Sequence, residues 1–106
     1  MPQIIESEKV LEARLRKEIE RRGGMCLKYT SQYHRGLPDR FVLMPGGFIY
    51  FVELKSTGKK PTALQKHAML KLKDMDFFST VIDSTVSLIR FLSKVDHDQQ
   101  TAQITF

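Results

Sequence analysis

Two acids and a lysine stand at spacings that suit a reaction centre. Across 48–55, period-2 geometry puts Ile49, Phe51, Glu53 and Lys55 on one face of a strand and Tyr50, Val52 and Leu54 on the other. Both faces are apolar until Glu53. The strand is therefore expected to be covered on both sides by helices, with Glu53 and Lys55 emerging where it ends. Pro45-Gly46-Gly47 reads as a turn. A three-residue turn pairs Met44 with Phe48, and counting outward sets Asp39 opposite Glu53 on the same face. Two carboxylates this close resist joint ionisation. A hard divalent cation relieves that, and oxygen ligands with waters are what Mg²⁺ prefers. The bland alternative is a surface ion pair to Lys55, which is worth little. Glu-x-Lys alone is a common tripeptide. The hairpin register, Pro38-Asp39 and the basic surroundings favour the metal.

The elements that must position this trio follow from pattern. A first helix is expected over 8–22, capped by Ser7 and stopped by Gly23-Gly24, with Leu11, Leu15 and Ile19 as its buried stripe. Strands are expected at 25–30, 40–44 and 48–55, with a polar loop at 31–38. A second loop at 56–61 carries Gly58, Lys59 and Lys60. Thr62 then caps a helix over 63–75, whose stripe is Leu64, Ala68, Leu72 and Met75. A fourth strand at 77–83 and a third helix at 85–94 complete the core. The segment 101–106 alternates polar and apolar residues and reads as a short edge strand or as disordered. This order predicts one domain over 1–106, an α/β sandwich with a mixed central sheet and a tail over 95–106.

Charge narrows the partners. Lys and Arg outnumber Asp and Glu, 17 to 12, a net +5 that favours a polyanion such as nucleic acid. Cys26 is the only cysteine. It permits no internal disulfide, points to a reducing compartment, and reads as a small core residue. One cysteine with three scattered histidines also argues against structural zinc. No apolar run spans a membrane and no secretory pattern is present, so a cytoplasmic protein without a membrane partner is expected.

Pro38-Asp39, thirteen residues, then Glu53-Leu54-Lys55 resembles the PD-(D/E)xK nuclease superfamily. The wider pattern is similar to its virus-type replication–repair nuclease branch, the VRR-NUC domains. Gly36-Leu37-Pro38-Asp39 matches the branch's Gly-x-Pro-Asp motif, and Phe51-Val52-Glu53-Leu54-Lys55 its Glu-x-Lys strand. Gln65 matches a helix glutamine, and Glu12 best matches a first-helix glutamate. The resemblance covers roughly residues 8–83.

The resemblance implies a three-layer, restriction-endonuclease-like α/β sandwich that hydrolyses DNA phosphodiesters. Asp39, Glu53 and the Leu54 carbonyl would hold Mg²⁺, with Mn²⁺ as a substitute and no small-molecule cofactor. Glu12 would assist, directly or through water. Lys55 would act on the attacking water and the phosphate. Stand-alone members of this kind act as homodimers on branched DNA, including four-way (Holliday) junctions, which suggests a bacterial or phage-infected cell. The small core and the apolar residues Phe77, Phe78 and the tail also favour a homodimer. Glu8 competes with Glu12 for the first-helix role, but an acid there is already explained by the helix dipole. Gln65 would reach the reaction centre from its rim, or else bond to nearby backbone. His34, Arg35, Lys59, Lys60 and Lys66 are the candidate DNA contacts. Arg40 adjoins Asp39 but alternates with it, which leaves facing the DNA and facing away equally open, and Tyr33 either offers a ring for an exposed base or packs on its own domain. Two other readings remain open: a DNA-binding module that does not cut, and a restriction-type nuclease that reads sequence.

Overall fold

The computed structural model describes residues 4–30 and 34–105, with side-chain surroundings through residue 102. Helix α1 (Glu8–Arg21) begins where the Ser7 hydroxyl accepts the Val10 N–H, and its Leu11, Leu15 and Ile19 are fully buried. Gly24 follows because a Cβ there would lie 2.7 Å from the Leu43 carbonyl oxygen, so only glycine lets the chain turn this close to the sheet. Strands β1 (Met25–Lys28), β2 (Arg40–Met44) and β3 (Phe48–Leu54) form an antiparallel meander. Helix α2 (Ala63–Asp74) then carries the chain to β4 (Phe78–Ile82), which runs parallel to β3. The sheet order is β1-β2-β3-β4 and the sheet is mixed, as the sequence predicts.

The sheet separates two unequal layers. On one face Val42, Met44, Tyr50, Val52 and Leu54 pack against α1 and against Leu88, Phe91 and Val95 of α3 (Thr85–Thr105). On the other, Phe41, Ile49 and Phe51 face α2 across an apolar groove. Only Ala68 and Leu72 of the expected α2 stripe are buried; Leu64 and Met75 are about half exposed at the groove's edge. Phe78 belongs to the core, edge-on to Tyr50 at 5.7 Å, whereas Phe77 is 40% exposed beside Phe51. Cys26 is half-buried against the same core, and burial pushes its thiol up to about 11. Among the described residues no helix is long and apolar enough to cross a membrane.

The third helix corrects the sequence reading. It does not stop at Lys94 but continues to Thr105, so the backbone of 101–105 is neither strand nor disordered. The polar run after Val95 reads as an exit from structure, yet its side chains are anchors. Arg22 donates two hydrogen bonds to Asp96, at 2.7 and 3.2 Å. The buried Tyr50 hydroxyl donates to Asp98 at 2.6 Å, and Gln99 donates to the Pro45 carbonyl at 2.7 Å. Tertiary polar contacts thus hold a helix end that hydrophobic periodicity alone would abandon.

The Tyr50–Asp98 bond should be measurable. Tyr50→Phe is expected to lower unfolding free energy by about 1–2 kcal/mol in denaturant titration, the range for a hydrogen bond to a charged group. Combining it with Asp98→Asn should cost less than the two single losses together. Strictly additive losses would show that the contact does not anchor the helix.

Candidate active site

The site grows from the β2–β3 ladder. Its pairs run from Met44↔Phe48 to Arg40↔Val52, so the next step outward sets Asp39 beside Glu53, as counted from the sequence. Asp39 is fixed from its own backbone, whose carbonyl accepts the Tyr29 N–H at 2.7 Å. The preceding loop is held down by a buried Pro38 and by Gly36. At Gly36, φ is 85° and a Cβ would lie 2.6 Å from the Leu64 carbonyl oxygen. That close approach brings the Asp39 loop onto the first turn of α2. At the far end of β3, Lys55 donates its N–H to the Ile82 carbonyl at 3.0 Å, which fixes its place in the sheet.

Glu53 is only 5% exposed. Burial first, then the Asp39 carboxylate, and more weakly Glu8, push its carboxyl up to about 7, while Lys55 and Arg40 pull the other way. Arg40 lies on the opposite face from Glu53, nearly buried, and its guanidinium reaches back to Asp39 at 2.8 Å. The same group stands 4.0 Å from Glu12, and its buried Nε has no hydrogen-bond partner among the described residues. Sequence reasoning set Arg40 aside for its alternation; length and reach bring it to the site nonetheless.

The first-helix acids divide. Glu12 turns to Arg40, whereas Glu8 is the acid whose charge acts on Glu53. Glu8 owes its place to tertiary contacts. The buried Thr57 bonds to Glu6 and to the Asp83 carbonyl, and Ser56 accepts the Glu8 N–H at 3.2 Å. These bonds tie the start of α1 to the loop that follows Lys55. Gln65 is engaged elsewhere: its side-chain oxygen accepts the Thr62 N–H at 2.9 Å, while Thr62 caps the Gln65 N–H. Thr62-x-x-Gln65 is a capping-box spacing, so this role was readable from the sequence.

Of the basic candidates, His34 and Arg35 lie at the mouth of the apolar groove. Lys59 and Lys60 are exposed on the loop after Lys55, and Lys66 lies on the other flank of α2, towards Phe77 and Phe78. Tyr33 falls outside the described residues. No group of three His, Cys, Asp or Glu side chains is gathered for a metal among the described residues. The donor set is smaller: two carboxylates joined by the sheet, with main-chain carbonyls nearby. Two carboxylates with so few other donors suit a hard cation that takes much of its shell from water or substrate.

Comparison with known proteins bears on this arrangement. The sequence matches no family model. A solved structure titled "VRR_NUC domain" superposes with a TM-score of 0.77 over 83% of this chain and 97% of its own, at 22% identity. That likeness establishes the fold. A relative from Acyrthosiphon pisum secondary endosymbiont phage 1, "Putative nuclease p44", is 39% identical over 74 residues, 70% of this chain and 80% of the relative. The chain belongs to the same family as this phage protein and has the fold of the VRR_NUC domain. Within that fold the Gly36-Leu37-Pro38-Asp39 and Glu53-Leu54-Lys55 stretches are joined by the β2–β3 hairpin.

The raised Glu53 makes the metal-free protein sensitive to pH. The folded state holds this proton more tightly than the unfolded chain does. The resulting stability is present below about pH 4.5 and is lost as pH rises through about 7. The loss should be on the order of 3 kcal/mol. Denaturant midpoints measured in chelator across this window should fall for the parent relative to Glu53→Gln. Parallel profiles for the two proteins would contradict the burial of this charge.

Proposed function

We propose that this chain is a nuclease of the VRR-NUC type, a divalent-metal-dependent endonuclease that hydrolyses phosphodiester bonds in DNA. The carrying observation is Glu53, a buried carboxyl raised to about 7 beside Asp39, with Lys55 one position beyond the intervening residue on the same face. Charge of this kind is tolerated where a cation is to be held. The name of the phage relative and the net charge of +5 support the same reading.

Asp39, Glu53 and the Leu54 carbonyl would hold Mg²⁺, with Mn²⁺ able to replace it. The bound ion would neutralise the paired carboxylates and offset charge developing on the phosphate. Lys55 cannot be a ligand while charged. Its ammonium is suited to orient the attacking water and to stabilise the phosphoryl oxygens as charge builds. Arg40 fixes the Asp39 carboxylate, which limits where that oxygen can reach. Glu8 or Glu12 would contribute through water, and Glu8, whose charge acts on Glu53, has the stronger claim. Gln65 would join only by leaving its capping bond. Arg35, Lys59 and Lys60 offer sequence-independent phosphate contacts.

The family resemblance supports branched DNA as substrate and a homodimer as the working form. A two-fold assembly would present two such sites to two strands. A cleavage assay in Mg²⁺ with linear, flapped and four-way DNA, beside mass measurement at high micromolar protein, tests these together. Preferential cutting of the four-way substrate by a dimer, abolished by chelator, is the expected result. Metal-independent cutting, or tight binding to DNA without cutting in any metal, would overturn the nuclease reading. A strictly monomeric mass with and without DNA would overturn the dimer.

A further inference from the structure

The groove between α2 and the sheet is larger than the fold needs. It encloses about 750 Å³, within the roughly 300–1,000 Å³ typical of sites for small ligands. Its sheet side is aromatic. Tyr29 and Phe41 meet edge-on at 5.6 Å, and Phe41 and Phe51 stand 6.3 Å apart. Its helix side is aliphatic, with Leu72 at the bottom and Met75 61% exposed at the rim. Such an opening in a folded chain leaves apolar surface in water unless something occupies it.

Three features indicate the occupant. Phe41 and Phe51 lie two residues from Asp39 and Glu53 on the same face, so the groove starts one side-chain row, about 6.6 Å, from the paired carboxylates. Arg35, His67 and Lys71 stand at its edge, and none of the described lining residues is acidic. A flat, apolar body attached to anionic phosphates fits both the walls and the rim. A second copy of this chain fits less well, because a two-fold contact would bring the basic edge against itself.

We propose that this groove receives an unpaired nucleobase of the DNA strand being cut. The base stacks against Phe41 and Phe51, and a flanking phosphate is held by Arg35 and Lys71. The base of a paired nucleotide is committed to its partner strand, whereas an unpaired or displaced one can turn into the groove at small cost. Branch points and bulges carry such nucleotides. The proposal rests on the nuclease reading, and it assigns selectivity for distorted DNA to a stacking site on the catalytic face.

The test uses two DNA duplexes that differ only in one extra, bulged 2-aminopurine, whose fluorescence falls when it stacks. Binding is measured by titration in chelator, so that cleavage plays no part. The parent protein is expected to prefer the bulged duplex by about tenfold, the worth of one base–aromatic stack, and to quench the probe. Phe51→Ala should bring the two affinities together. To separate loss of stacking from any disturbance of the sheet, Met75→Glu supplies a second variant at an exposed position, where the added negative charge should also remove the preference. Equal parent affinities without a change in fluorescence would overturn the proposal. So would a Met75→Glu protein that turns from dimer to monomer yet keeps the preference, which would assign the groove to a second copy. Preference and quenching in a protein that cuts no DNA in any metal would keep the stacking site and reject the nuclease reading.

Discussion

The register of one hairpin forces two carboxylates together, and the rest of the site depends on that. Backbone hydrogen bonds from Met44↔Phe48 to Arg40↔Val52 leave Asp39 and Glu53 nowhere else to go. The register is itself secured by burial. Val42, Tyr50 and Val52 fill the core under α1 and α3, and a slip by one residue would turn Glu53 into that core and Val52 out of it. Hydrophobic packing on one face of the sheet thus supplies the free energy that holds like charges together on the other.

The surroundings read as responses to that repulsion. Arg40 reaches around from the core face to Asp39, and Lys55 lowers the cost of ionising Glu53. Neither offsets the burial of Glu53, which with the Asp39 charge keeps its carboxyl well above the ordinary range of a glutamate. A cation held at the end of this rigid strand would relieve both, as the proposed function requires. Loop anchors serve the same end. Thr57 and Ser56 fasten the beginning of α1 beside the Glu-x-Lys terminus, and Gly36 lets the Asp39 loop lie against α2. The proposed chemistry would be carried on loops and strand ends while the fold beneath stays fixed.

Much of this was legible in the residues. Leu11, Leu15 and Ile19 announced α1, and Pro45-Gly46-Gly47 with period-2 alternation gave the hairpin and therefore the Asp39–Glu53 pair. The choice between Glu8 and Glu12 was not legible. They lie one turn apart on one helix face, and what separates them is the tether from Ser56 and Thr57, which joins residues some fifty positions apart. The end of α3 was lost for a similar reason: Asp96, Asp98 and Gln99 are polar residues whose partners, Arg22, Tyr50 and Pro45, come from distant segments. The groove was hidden because Leu64 and Met75 have helical spacing and read as core, yet the sheet does not cover them. Periodicity reports which residues share a face, and it does not report whether that face is covered.

The central claim is that Asp39 and Glu53 bind a cation while Lys55 does chemistry. Calorimetric Mn²⁺ binding beside single-turnover DNA cleavage, on folded Glu53→Ala and Lys55→Ala proteins, tests it most directly. Glu53→Ala should lose metal binding and cleavage together. Lys55→Ala should bind Mn²⁺ as well as the parent or better, because a repelling charge is gone, while cleavage falls by orders of magnitude. A Lys55→Ala protein that cuts DNA near the parent rate, or a Glu53→Ala protein that binds Mn²⁺ unchanged, would contradict the account.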